Sequence, residues 1–145
     1  MLGVIAVNQT RFLLPLPTNR THRGPEFQKI GNTIVIQYDC EQDDGVLKNT
    51  ELVFEEVLDF EFRQAVCLVV EELLPFTQML CLRKSDRLSA ILELWRKSVG
   101  WQEFQTRNGG EERFRHYKLY FDDAGGLDII ASGFQPALTP VVSSG

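Results

Sequence analysis

The stretch His116-Tyr-Lys-Leu-Tyr-Phe-Asp-Asp-Ala-Gly-Gly-Leu-Asp-Ile-Ile-Ala-Ser-Gly-Phe134 contains two runs rich in aromatic and β-branched residues, separated by Asp, Ala and Gly. Alternation places Tyr117, Leu119 and Phe121 on one side of an extended chain, and His116, Lys118 and Tyr120 on the other. Gly125 and Gly126 allow the positive φ that a reversal needs, and Asp122 and Asp123 are good turn formers. The spacing predicts a C-terminal β-hairpin, with strands from Arg113 to Phe121 and from Leu127 to Phe134.

The same stretch holds one of only two histidines beside the turn aspartates, which raises the question of catalysis. Six extended residues separate Cα atoms by roughly 20 Å, too far for Asp122 or Asp123 to orient the imidazole of His116. A solvent-facing strand histidine is the expectation.

Other strands follow from the same periodicity. Thr33 to Asp39 places Ile34, Ile36 and Tyr38 on one face. From Glu51 to Phe62, residues Leu52, Phe54, Leu58, Phe60 and Phe62 share one parity, and Val53, Glu55, Val57, Asp59 and Glu61 share the other. Glu56 falls on the apolar parity, so either its carboxylate emerges at an edge or a bulge shifts the register. A short strand is expected near 77–82, and 17–26 reads as a loop because of its Pro and Gly content.

One amphipathic helix is expected at about 86–99. Ser85 suits the N-cap, Asp86 the first turn, and Leu88, Ile91, Leu92, Trp95 and Val99 form the apolar stripe. Arg96 and Lys97 suit the C-terminal dipole, and Gly100 can close the helix. The fold class is therefore α+β: an antiparallel sheet of about 4–6 strands with this helix packed on it. The 145 residues are expected to form a single domain, irregular over about 1–30 and loose over about 136–145.

Net charge is −5, and it is uneven: residues 1–72 carry 6 Lys/Arg against 12 Asp/Glu, residues 73–145 carry 9 against 8. Such a balance disfavours a nucleic-acid partner and leaves a basic protein as the partner that charge would select. The apolar run Met1–Val7 is too short to span a bilayer and lacks a basic leader, so no membrane association and a cytoplasmic location are expected. Cys40, Cys67 and Cys81 are odd in number and include no CxxC pair, which points to reduced, buried thiols.

The acidic run Asp39-Cys-Glu-Gln-Asp-Asp-Gly45 has carboxylates at alternate positions, as a calcium loop does, but Gly45 and Thr50 occupy the wrong places. A hairpin turn is the expectation, and no cofactor or metal is called for. No glycine pair lies in a phosphate-binding context. Candidate partner-binding residues are Glu55, Asp59 and Glu61, on the wetter side of one strand, together with Trp101, which follows the helix beside Phe104 and as an exposed aromatic would anchor a partner. No catalytic residue is assigned.

His116 to Gly125 with Ile129-Ile-Ala-Ser132, preceded by Leu52 to Phe62, resembles small uncharacterised bacterial proteins, some of which are similar to polymorphic-toxin immunity proteins. The matching motifs are fold-forming hairpins and carry no functional residues across; Ala124-Gly125-Gly126 departs from the bulkier turn expected. The uneven charge and the lack of a catalytic set favour a non-catalytic binding module of this immunity type, whose acidic face around Glu55, Asp59 and Glu61 would neutralise a basic effector. Two other classes stay open: a small enzyme with a cleft centred on Cys40 or His116, and a domain that self-associates through a strand edge. The sequence expresses no preference between monomer and dimer.

Overall fold

The computed structural model describes residues 8–22, 24–64, 75–98, 110–121 and 125–141. In chain order these form β1 (Gln9–Leu13), β2 (Glu26–Ile30), β3 (Thr33–Glu41), β4 (Leu47–Glu55), β5 (Asp59–Gln64), β6 (Gln78–Leu82), α1 (Asp86–Arg96), a 3-10 turn (Glu111–Arg113), β7 (Arg115–Phe121), β8 (Gly125–Ala131) and β9 (Gly133–Gln135). The class is α+β and dominated by antiparallel sheet, as the alternating patterns require. The strands divide between a five-stranded sheet ordered β1-β6-β7-β8-β5 and a four-stranded sheet ordered β2-β3-β4-β9.

The predicted hairpin is the centre of the larger sheet. β7 pairs with β8 from Arg115 opposite Ala131 to Phe121 opposite Gly125. Its Tyr117, Leu119, Phe121, Leu127, Ile129 and Ala131 pack against Ile34, Ile36, Tyr38, Leu52 and Phe54 of the smaller sheet. Tyr38 meets Phe121 at a ring separation of 5.3 Å, and Phe54 meets Tyr117 at 5.4 Å, so the two sheets face each other through aromatic pairs. Burial of each such ring supplies roughly 1.5–3 kcal/mol, which makes this layer the main driving force for the fold.

Helix α1 covers the opposite face of the larger sheet. Leu88 packs with Phe114 and Ile130, and Ile91, Leu92, Trp95 and Leu58 border them. Trp95 meets Phe114 edge to face at 5.2 Å, so it is a packing residue, as its place in the apolar stripe requires. The hydroxyl of Ser85 accepts a hydrogen bond from the Leu88 amide at 3.0 Å and so is the N-cap. Lys97 is the C-cap; Val99 and Gly100 lie outside the described residues. With one face against the smaller sheet and the other under α1, every residue of β8 is buried.

The run from Glu51 to Phe62, one strand by its alternation, is two strands in different sheets. The chain leaves β4 at Glu55 and enters β5 at Asp59, turning through Glu56 at φ +50°. The misplaced parity of Glu56 marks this corner. Val57 donates to the Asn32 carbonyl at 2.7 Å and Leu58 to the Ile130 carbonyl at 2.8 Å, so the crossing strand bonds once to each sheet. The expected strand from Leu127 to Phe134 is divided in the same way at Ser132, where β8 gives way to β9.

These two corners are latched together. The Ser132 amide donates to the Glu55 carbonyl at 3.0 Å, the Ser132 hydroxyl donates to Glu56 at 2.8 Å, and Arg113 donates to the same carboxylate at 3.1 Å. Side-chain partners thus hold a non-glycine residue in the left-handed region, at a conformational cost of about 1–2 kcal/mol.

The described residues of 9–30 and 136–141 are more ordered than their composition predicts. Within the segment expected to be irregular, Gln9–Leu13 and Glu26–Ile30 are strands. The tail is tied to β1: Leu13 donates to Thr139 at 2.9 Å, Val141 donates to Arg11 at 2.7 Å, and Phe12 bridges Pro140. Neither feature is visible in local periodicity because both depend on partners far along the chain. Among the described residues, no helix is long and apolar enough to cross a membrane.

Candidate functional site: an acidic sheet face and a buried histidine network

The three acidic residues expected on one strand face are not together. Glu55 ends β4 in the smaller sheet, whereas Asp59 and Glu61 lie on β5 in the larger one. Asp59 and Glu61 turn toward α1, where Arg87 meets Asp59 at 2.5 Å and Glu61 at 3.1 Å. Arg87 from the helix, with Arg63 of β5 3.6 Å from Glu61, offsets their charge, so they fasten α1 to β5. Trp101 lies outside the described residues.

Another acidic surface emerges from the register of the smaller sheet. Opposed residues share a face, so Glu26, Gln37 and Glu51 form one outward row, and Gln28, Val35, Val53 and Gln135 form the next. Ile30, Thr33, Glu55 and Gly133 continue that face on one side, and Asp39, Asn49, Glu41 and Leu47 on the other. Every charged residue at these outward strand positions is acidic. Asp39 accepts from the His22 amide and Glu41 pairs with Arg20 and His22, so those two are partly compensated by the preceding loop.

Glu26, Glu51 and Glu55 form no ion pair among the described residues. Glu51 accepts from the Gln37 amide group at 3.4 Å and Glu55 from that of Gln135 at 2.7 Å. Between them lies an apolar centre of Ile30, Val35 and Val53, with Ile30 57% exposed. A shallow recess of about 390 Å³, bordered by Glu26, Gln37, Asp39, Asn49 and Glu51, opens on this surface. The face thus combines an apolar centre with a polar rim whose charges are all of one sign.

His116 is buried, at 4% exposure, which corrects the expectation of a solvent-facing histidine. The reason is α1, which covers the side of β7 that alternation assigns to water. Its Nε2 lies 2.7 Å from Asp128 Oδ1 and its Nδ1 lies 2.8 Å from Ser85 Oγ. Asp128 also meets Arg63 at 3.2 Å and Lys118 at 3.7 Å. Burial pushes the Asp128 carboxyl up, but the His116 hydrogen bond and the charges of Lys118 and Arg63 more than offset this and hold it below the usual carboxylate range.

The chain Ser85, His116, Asp128 has the hydrogen-bond order of a nucleophile, a base and an orienting carboxylate. Here the Ser85 oxygen is engaged by the Leu88 amide, and His116 lines neither of the two recesses described on the molecule. Ionised Asp128 accepts from Nε2, and the Ser85 hydroxyl can donate to Nδ1 while accepting from Leu88. Its evident work is to join the N-terminus of α1 to the β7–β8 hairpin. Asp128 belongs to the hairpin's buried side because it sits opposite Lys118, one diagonal step from His116; Asp122 and Asp123 lie outside the described residues.

Cys40 is buried, its thiol 3.5 Å from the Asn19 carbonyl; burial and the neighbouring acids Asp39, Asp43 and Glu41 push its pKa up despite Arg20. Such a thiol stays protonated and is a poor nucleophile. Cys67 lies outside the described residues. The Asp39–Gly45 segment ends β3 and enters the expected hairpin turn: Asp44 accepts from the Val46 amide, Asp43 pairs with Arg20, and Gly45 adopts φ +82°. Among the described residues, no group of three His, Cys, Asp or Glu side chains is placed to hold a metal ion.

No family model matches the chain, and neither a curated protein nor a solved structure shows significant similarity to it.

Proposed function

We propose that the chain is a non-catalytic binding module that takes a basic protein against the outward face of β2, β3, β4 and β9. The carrying observation is that the charged residues at outward strand positions there are all acidic, with Glu26, Glu51 and Glu55 around Ile30, Val35 and Val53. A cationic surface would be steered to this face and would repel other acidic proteins, while the phosphate backbone of a nucleic acid would be repelled. In the immunity-type form of this reading the partner is a basic effector, held in the cytoplasm by charge and by the apolar centre. The buried state of Cys40 and His116 favours binding over catalysis.

The test is recovery of a cross-linked partner from the native cell by the full chain and by a variant carrying Glu26→Lys, Glu51→Lys and Glu55→Lys. Recovery of one basic protein by the native chain, lost in this variant and kept in Glu93→Lys on α1, supports the reading. An acidic partner, or a basic one recovered equally by all three, removes it.

A further inference from the structure

Among the described residues strand β2 is an edge, and its outer side has the chemistry of a strand acceptor. Among the described residues β2 pairs with β3 alone, and all five of its residues are exposed. The β2–β3 turn has two residues, Gly31 and Asn32, with Gly31 at φ +60° in the first central position, where a type II′ turn needs glycine. In such a hairpin the flanking pair, Ile30 and Thr33, exchanges both backbone hydrogen bonds, and pairs then alternate. Ile30, Gln28 and Glu26 therefore spend their amides and carbonyls on β3, and those of Phe27 and Lys29 point away from the sheet. Pro25 falls on the same parity as Phe27, where a missing N–H breaks no ladder bond.

Beside this edge lies a mainly apolar groove of about 370 Å³, bordered by Phe27, Ile34, Val57, Leu58 and Phe60, with Lys29, Asn32 and Asp59 completing its wall. Phe27 spans from one sheet to the other, with its ring 5.1 Å from Phe60 and 5.6 Å from Phe62, yet it is 39% exposed. A strand laid along β2 would send alternate side chains into this groove and the others out beside Glu26, Gln28 and the acidic rows behind them.

We propose that β2 accepts an extended segment of a partner protein in which apolar residues, facing the groove, alternate with lysine or arginine, facing the acidic surface of the smaller sheet. This rests on the reading that the partner is basic and adds how it is held. Charge selects this occupant over a second copy of the chain. Pairing β2 with β2 about a two-fold axis at Gln28 would merge two acidic faces, each on a molecule of net charge −5, into one continuous surface. A cationic strand instead supplies the missing sign, and four backbone groups of Phe27 and Lys29 supply its hydrogen bonds.

The probe is a short synthetic peptide alternating lysine and valine, labelled for fluorescence anisotropy, measured against the full chain. Lys29→Pro removes an outward N–H and spares the ladder to β3. It is expected to weaken binding on the order of tenfold, with the strand signal in circular dichroism retained. A second measurement leaves the protein unchanged: N-methylation of one alternate set of peptide amides is expected to abolish binding, and of the other set to leave it intact.

If Glu51→Lys abolishes binding while Lys29→Pro and both N-methylated peptides bind as well as the originals, the acidic face stands and the strand-acceptor proposal falls. If the peptide does not bind at all, the proposal falls, and cross-linking with the charge-reversed chain still decides the broader reading. Sedimentation showing a dimer that Lys29→Pro dissolves would assign the edge to a second copy and overturn it.

Discussion

His116 and Asp128 are joined at 2.7 Å between Nε2 and Oδ1, diagonally across the β7–β8 ladder and under the N-terminus of α1. The pair is one member of a network that includes Ser85, Arg63 and Lys118, and it ties the helix to the central hairpin. Removing either partner leaves the other charged or polar group buried. That asymmetry makes the network a test of how the layers are held.

Asp128→Asn keeps the volume and deletes the charge that faces three cationic or polar partners. The variant is expected to lose about 3 kcal/mol at neutral pH, as for a buried ion pair broken on one side. In thermal melts this corresponds to a fall of roughly 6–12 °C.

The same carboxyl gives the protein an acid limb. Its pKa is held down in the folded chain, so its contribution is complete above the unfolded carboxylate value of about 4 and is lost as pH falls through the lower folded value. Urea melts at descending pH should show the native protein losing more stability below pH ~4 than Asp128→Asn does. Parallel pH profiles would show that another group dominates.

Ser85→Ala removes the helix cap and the partner of His116 Nδ1 at once. A cost of about 1–2 kcal/mol is expected, with most of it recovered by Ser85→Thr, which keeps the hydroxyl. A fluorophosphonate probe should leave Ser85 unlabelled, because its oxygen is engaged by Leu88 and the imidazole is enclosed. Stoichiometric labelling would instead establish a nucleophile.

Glu56 isolates backbone strain from side-chain bonding. Both Glu56→Ala and Glu56→Gly lose the bonds to Arg113 and Ser132, but only glycine is relieved of the left-handed penalty at φ +50°. Glu56→Gly should be more stable than Glu56→Ala by about 1 kcal/mol in urea unfolding. Equal stabilities would place this residue outside the left-handed region in solution.

Burial also sets the reactivity of the thiols. Cys40 and Cys81 are both buried, with their thiol pKa values pushed up by desolvation first. In a Cys67→Ser variant the native protein should react with a disulfide reagent far more slowly than the urea-unfolded chain, which exposes both thiols. Rapid labelling in the native state would mean that one of them is reached by solvent.

Local sequence determined the elements whose signals are local. Alternation from Tyr117 to Phe121 and from Ile34 to Tyr38 required half-buried strands, and Ser85 followed by the stripe Leu88, Ile91, Leu92 and Trp95 required a capped helix. Even the corner at Glu56 left a trace, as a charged residue on an apolar parity. Alternation alone does not say which sheet a strand joins. The run from Glu51 to Phe62 is therefore continuous by alternation, and its acidic residues Glu55, Asp59 and Glu61 share one parity.

Tertiary structure decided what covers each face. Whether His116 meets water or a helix depends on where α1 docks, and its cap Ser85 lies 31 positions away. Asp59 and Glu61 became anchors for Arg87 because β5 crossed into the sheet beneath the helix, and Glu26 joined the face of Glu51 and Glu55 only through the register of β2, β3 and β4. Periodicity is a property of adjacent residues, whereas burial and charge clustering are properties of surfaces assembled from distant ones. The hairpin from His116 to Phe134 was therefore legible in the chain, and the role of its histidine was not.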